Sequence, residues 1–298
     1  MTRMYFSALI LFVGATAPCA AQTPAVRIPS SHQYELRARG SGRAYRLFVA
    51  VPQGYVESDT TRYPVLYVLD GNDAFPLAVG SARYLQLQHE IPALIIVGIG
   101  YPVDFYSETL VPRYLDYTPS ADARADSALA PSVAQARPDH ELEALHSGGG
   151  AEFLAALRAD IIPFIEARHR TTSDRGLWGH SFGAAFAMYT MFTAPDLFAR
   201  YALCSPSLWW NKGDLYGLER AFATSHRNLP ARVFVSVGSS EGKQMVAGVD
   251  SLTRLLQQHA YAGLELTANT FDGETHMSSV PAAISRSLRV LYGATSRK

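Results

Sequence analysis

Short, near-continuous apolar runs recur along the chain at Tyr45–Val51, Val65–Leu69, Leu94–Val97, Gly176–Trp178, Tyr201–Cys204 and Val233–Val237. Runs of this kind predict strands covered on both faces, as in a mostly parallel sheet. The segment His32–Arg39 alternates instead, which predicts an antiparallel strand at the sheet edge. Between the runs, apolar residues recur at helical spacing over Glu152–His169, where Pro163 predicts a kink, and helices are also predicted at Phe182–Phe192, Asp250–His259 and Ala282–Leu291. Strands alternating with helices imply an α/β fold with a mostly parallel central sheet, right-handed crossovers and helices on both faces. One domain spanning residues 30–295 accommodates the whole pattern. The stretch Asp104–Gly150 interrupts it with Pro112, Pro119, Pro131 and Pro138 followed by Ser147-Gly148-Gly149-Gly150, and reads as an irregular insertion, either functional or a surface excursion.

The first 21 residues follow a different logic. Arg3 supplies a positive charge, Tyr5–Val13 is a short apolar run, and Ala17–Ala21 offers small residues for cleavage. This is the pattern of a secretory signal peptide, and the run is too short for the roughly 20 residues needed to span a bilayer. A periplasmic or secreted protein without stable membrane insertion is expected. Cleavage would remove Cys19 and leave Cys204 alone, so no intrachain disulfide is expected. Lys+Arg and Asp+Glu each number 26, which argues against a general nucleic-acid binder.

The strongest chemical signal is Gly179-His180-Ser181-Phe182-Gly183. In a Gly-x-Ser-x-Gly elbow the serine occupies a sharp turn between strand and helix, so its hydroxyl stands clear at the strand's C-terminal end. The flanking positions are expected to be glycine because a β-carbon at either would collide with its surroundings. With 22 Gly in 298 residues, chance would produce about 0.1 such matches. The motif also follows a predicted strand and opens a predicted helix, which is the context it requires.

A serine hydroxyl needs a base, and the base needs an orienting group. After an elbow of this type the acid and then the histidine follow in the chain. Of nine histidines, His276 fits, in a loop after the strand-like run Leu264–Phe271 and before the last helix. For the acid, Glu241 lies just beyond the strand Val233–Val237; Asp250, Asp272 and Glu274 are alternatives explained by an N-cap or by turn chemistry, and a Ser–His dyad is a further alternative. An oxyanion hole calls for two N–H donors. The amide of Phe182 is one candidate, and that of Asn72, in the turn after Val65–Leu69, is the other. No cluster has metal-ligand spacing: His140 and His146 with Glu141 and Glu143 lie in a polar loop and read as solvated.

Five motifs occur in order: Arg113-Tyr114-Leu115-Asp116-Tyr117-Thr118-Pro119, Ser147-Gly148-Gly149-Gly150-Ala151-Glu152-Phe153-Leu154, Gly176-Leu177-Trp178-Gly179-His180-Ser181-Phe182-Gly183, Ser205-Pro206-Ser207-Leu208-Trp209-Trp210 and Gly273-Glu274-Thr275-His276. Together they resemble the putative-esterase family of α/β-hydrolases, which includes siderophore trilactone esterases and is related to the esterase D and antigen 85 groups. The resemblance runs from about Tyr34 to Tyr292. It implies carboxylic-ester hydrolysis through an acyl-enzyme on a small-molecule ester, without metal or cofactor. It supports Ser181 and His276, and the antigen 85 group favours Glu241, whereas siderophore esterases described as dyads keep that alternative open. Ala184 departs from the second glycine of many members. Trp209 and Trp210 are candidates for stacking on an aromatic acyl group, with core filling as the alternative. Arg113 is a candidate for an anionic substrate group, with a pairing to Asp116 as its structural alternative. Siderophore lactones lead the substrate classes, ahead of feruloyl and acetyl esters. An acyltransferase of the same fold, or a non-catalytic binding module, is the competing reading.

Overall fold

Residues 26–136 and 145–293 are described by a computed structural model. The predicted signal segment lies outside them, as do Pro138, His140, Glu141 and Glu143. The chain opens with an antiparallel pair, β1 (Ser31–Arg37) and β2 (Ala44–Ala50), at one edge of the sheet. Strand β3 (Tyr63–Val68) leads into α1 (Gly71–Leu87), and β4 (Ile95–Gly100) into α2 (Tyr106–Tyr117) and α3 (Ala123–Ala136). Next come α4 (Gly150–Ala156) and α5 (Ile162–Glu166), joined by a π-helical turn at Leu157–Ile161. The remaining units are β5 (Thr171–His180) with α6 (Phe182–Thr193), β6 (Arg200–Cys204) with α7 (Asp214–Ser225), β7 (Arg232–Gly238) with α8 (Lys243–His259), and β8 (Glu265–Phe271) with α9 (Val280–Tyr292).

Among the described residues the strands form one eight-stranded sheet in the order β1-β2-β4-β3-β5-β6-β7-β8. From β4 to β8 neighbouring strands are parallel. The near-continuous apolar runs fall on these strands because both sheet faces are covered. Val65, Tyr67, Leu177, Leu203 and Val235 enter the core beneath α6 and α8, whereas Leu66, Val68, Trp178, Cys204 and Phe234 enter the core beneath α1 and α9. Side chains alternate between faces along a strand, so each run feeds two cores at once. Cys204 is fully buried, and burial pushes its thiol pKa up to about 12, which keeps it protonated.

The connection between β4 and β5 corrects the expected irregular insertion at 104–150. It is helical over α2 and α3, with Pro112 and Pro131 inside those helices. Prolines clustered in sequence are not decisive against a helix whose other residues pack. Tyr114, Tyr117 and Asp116 of α2 are buried. The predicted long helix over 152–169 is likewise broken into α4, a π turn and α5. Pro163 has no N–H to donate, and the Ile162 N–H bonds the Leu157 carbonyl, widening the turn before the proline. Besides α2 and α3, the helices α1 and α7 also lie outside the predicted set.

The strand order reverses direction at β3. Its sequence neighbour β4 lies on one side and β5 on the other, so α1 leaves β3 toward one face and α6 leaves β5 toward the opposite one. The C-terminal ends of these two strands therefore border a crevice, the usual place for a ligand in an open α/β sheet.

Candidate active site

Ser181 stands at the crevice on the turn between β5 and α6. Its backbone has φ 59° and ψ −119°, a strained conformation for a residue with a side chain. The turn is held because the Ser181 N–H bonds the Cys204 carbonyl at 3.0 Å and the Ser181 carbonyl accepts the Ala185 and Ser207 amides. The two flanking glycines prove unequal. A β-carbon on Gly179 would lie 2.3 Å from the Gly183 carbonyl oxygen, whereas one on Gly183 would meet nothing closer than 3.5 Å. The expected collision thus holds at Gly179 and not at Gly183. The helix crosses over the strand at Gly179, while Gly183 faces only the side chains of Leu69 and Asp70.

His276 and Glu241 arrive from adjacent strands. Gly238 at the end of β7 pairs in register with Phe271 at the end of β8. Their loops are stitched together beyond that point: Ser239 N–H bonds the Phe271 carbonyl and Ser240 N–H the Glu274 carbonyl. A β-carbon on Gly238 would lie 2.2 Å from the Glu274 carbonyl oxygen, so this approach requires glycine. The stitching places His276 Nδ1 2.7 Å from Glu241 Oε2. The other carboxylate oxygen, Oε1, accepts the Ser205 hydroxyl at 2.6 Å and the Gly238 N–H at 2.7 Å. The Glu241 side chain is 1% exposed and that of His276 37%. Burial by itself would raise the Glu241 pKa. The hydrogen bonds from His276, Ser205 and Gly238 outweigh it and hold the carboxyl below its ordinary range.

The acidic alternatives lie elsewhere in the fold. Asp250 lies inside α8, which begins seven residues before it at Lys243, so it caps nothing. Asp272 accepts from the Ser239 hydroxyl and Glu274 from the Ser278 hydroxyl.

Ser181 and His276 both border two cavities. The first, of about 300 Å³, is walled by Ala74, Leu77, Trp178, Met277, Val280 and Pro281, with Asp70, Arg113 and His180 at its polar side. The second, of about 230 Å³, is bordered by Phe182, Ser207, Trp209, Glu241 and Met245. Ser181 Oγ lies 3.3 Å from Ser207 Oγ. The Ser181 hydroxyl thus has open space on two sides.

The remaining sequence candidates separate. Phe182 is the first residue of α6 and Asn72 the second of α1, positions whose N–H groups have no acceptor within the helix. The Asn72 side chain does not border either cavity. It donates to the Tyr101 and Val103 carbonyls and accepts the Tyr101 N–H, tying α1 to the end of β4. Trp209 faces the second cavity. Trp210 does not: it is fully buried, its ring edge-on to Tyr114 and Phe182 and its indole N–H on the Ser120 carbonyl. Successive side chains in this tight turn diverge, so only one of the pair can reach the mouth.

Arg113 borders the first cavity, but its partner is Asp70, not Asp116. It grips the Asp70 carboxylate with two bonds of 2.7 and 3.0 Å. Asp116 turns the other way, to Arg43 and the Tyr101 hydroxyl. Burial keeps the Asp116 pKa raised to about 6, even with Arg43 beside it. Sequence reading gave no role to Ser205, Ser207 or Asp70. The Ser205-Pro206-Ser207 triplet was the one available signal.

A mostly parallel sheet whose strand order reverses at β3, beside a strained Ser elbow after β5 and with a carboxylate–imidazole pair on the loops after β7 and β8, defines an α/β-hydrolase. The chain belongs to the family described as "Putative esterase", whose model matches residues 39–279. It is similar to the ferri-bacillibactin esterase BesA of Bacillus subtilis, with 30% identity over 280 residues covering 89% of this chain and 90% of the relative. It is also similar to the siderophore triacetylfusarinine C esterase of Aspergillus fumigatus, with 27% identity over 90% of this chain and 94% of that one. Among solved structures, the BES protein from Bacillus cereus superposes with a TM-score of 0.76 at 26% identity, covering 91% of this chain and 99% of that one.

Proposed function

We propose that this esterase is an exported enzyme that hydrolyses siderophore esters through an acyl-enzyme formed on Ser181. The observation that carries the reading is the His276 Nδ1–Glu241 Oε2 bond of 2.7 Å, beside a serine that borders the same two cavities. Ser181 Oγ attacks the ester carbonyl while His276 Nε2 takes its proton, and Glu241 stabilises the resulting imidazolium. The amides of Phe182 and Asn72, each in the first turn of a helix, receive the oxyanion. Collapse breaks the carbonyl–alkoxide bond as His276 returns the proton to the leaving oxygen, and water then releases the acyl group by the same route.

The siderophore assignment draws on the names of the similar proteins, ferri-bacillibactin esterase and triacetylfusarinine C esterase. The largely apolar walls of the first cavity, with Arg113 and Asp70 at one side, suit an aromatic or short aliphatic acyl arm carrying oxygen substituents. Export rests on the signal-like segment 1–21; among the described residues no helix is long and apolar enough to cross a membrane.

A screen of iron-loaded and iron-free siderophore esters against feruloyl and acetyl esters tests the substrate. Siderophore esters are expected to show the highest kcat/KM, and a preference for simple acetates overturns the assignment. Ser181→Ala is expected to lower hydrolysis at least about a thousandfold with an unchanged Tm, and an active variant overturns the nucleophile. Because the second cavity has room for an alcohol, product analysis with added acceptor alcohols decides between water and transfer.

A further inference from the structure

We propose that Ser205 is a positioning residue for the acid–base pair, its hydroxyl holding the Glu241 carboxylate in the orientation His276 uses. This rests on the reading of Glu241 as the orienting acid. Ser205 follows directly on β6 and reaches across to the loop beyond β7, 36 residues later in the chain. Its N–H bonds the Ser236 carbonyl at 2.7 Å, extending the β6–β7 ladder by one step and anchoring its backbone.

The backbone there is costly. Ser205 has φ 47°, in the left-handed region that favours glycine, and it precedes Pro206, which restricts it further. It is also 1% exposed, so no contact with water explains a hydroxyl at this place. What the serine supplies and a glycine could not is the 2.6 Å bond to Glu241 Oε1. Glutamate has three side-chain torsions, and a carboxylate on a loop needs more than one contact to hold its plane. With Ser205 and the Gly238 N–H on Oε1, the remaining oxygen is presented to His276 Nδ1. A donor on Oε1 also draws charge from the carboxylate and so moderates how strongly it stabilises the imidazolium.

The test compares Ser205→Gly, Ser205→Ala and Glu241→Gln in the full mature chain, measuring Tm, kcat, KM and the pH profile of kcat/KM on a nitrophenyl ester. Ser205→Gly relieves the left-handed strain and is expected to keep or raise Tm. Its kcat is expected to fall roughly tenfold at constant KM, the loss of one hydrogen bond to a charged group. The acid limb should move, because the carboxylate facing His276 has lost both a side-chain donor and its fixed orientation. Ser205→Ala should reproduce the kinetic change without the gain in Tm. An unshifted acid limb in both Ser205 variants, with Glu241→Gln inactive, overturns the role of Ser205 alone. Wild-type activity in Glu241→Gln overturns the underlying reading of Glu241 instead.

Discussion

The imidazole of His180 lies against that of His276, ring centroids 4.4 Å apart, and its Nε2–H donates to the His276 backbone carbonyl at 2.9 Å. The residue before Ser181 thereby pins the loop that carries His276. Burial, and then the neighbouring His276 charge, push the His180 pKa down to about 4, with Asp70 and Arg113 also nearby.

That shift has a pH signature. A histidine neutral in the fold and titrating near 6.5 when unfolded takes up its proton in the unfolded state first. Stability is therefore full above about pH 6.5, falls as pH drops through that value, and stops falling on this account near 4. The loss amounts to on the order of 3 kcal/mol. His180→Gln keeps a donor without the titration, so its urea-unfolding stability should change less between pH 7 and pH 4 than that of wild type. An equal change in both proteins would remove His180 as the source.

The unequal glycines of the elbow make a second prediction. Gly179→Ala puts a β-carbon 2.3 Å from a backbone oxygen that cannot move without displacing α6. Either poor folding or a Tm drop of several degrees is expected, with activity lost. Gly183→Ala meets only ordinary contacts, and the alanine improves helix propensity by up to about 1 kcal/mol. Thermal unfolding of both variants checks the asymmetry.

The ion pair at the cavity wall is the third. Arg113 and Asp70 are largely buried, with side-chain exposures of 10% and 15%. Removing either partner alone leaves a poorly solvated charge in the cavity that Ser181 borders, at a cost of about 3 kcal/mol or more. A double-mutant cycle of Arg113→Met with Asp70→Asn should return a coupling of about 1–3 kcal/mol. The same cycle with Asp116→Asn should return much less, since Asp116 is held by Arg43 and Tyr101. Comparable couplings in both cycles would contradict the observed pairing.

Much of the architecture was legible because parallel strands buried on both faces write themselves as apolar runs. Each predicted run became the core of a strand, and the structure mainly lengthened them, as when Gly176–Trp178 grew to β5. Of the missed helices, α1 and α7 had weaker patterns. α1 starts in a turn-like Asp70-Gly71-Asn72-Asp73 sequence and contains Pro76, and α7 follows the irregular backbone at Asn211 and Gly213. The helices of the β4–β5 connection were hidden because proline counts suggested a loop; burial of Tyr114 and Tyr117 favours α2, whereas α3 buries no residue fully and only packs Leu129 and Val133 partly against that cluster.

Ser181 could be singled out from sequence alone because the elbow is a local device: five residues, a strand before and a helix after contain its geometry. Chain order then pointed to His276. Glu241 was distinguishable from Asp250, Asp272 and Glu274 only by its position after a strand. Tertiary structure separates them, because the β7–β8 register and the close approach at Gly238 decide which carboxylate meets the imidazole. The same holds for the partner of Arg113, the burial of Trp210 and the reach of Ser205 to Glu241. Sequence determines the strands, the elbow and the order of the chemical groups, since these depend on neighbours along the chain. Which side chains touch was decided by the sheet order, which brings residues tens of positions apart to the same end of adjacent strands.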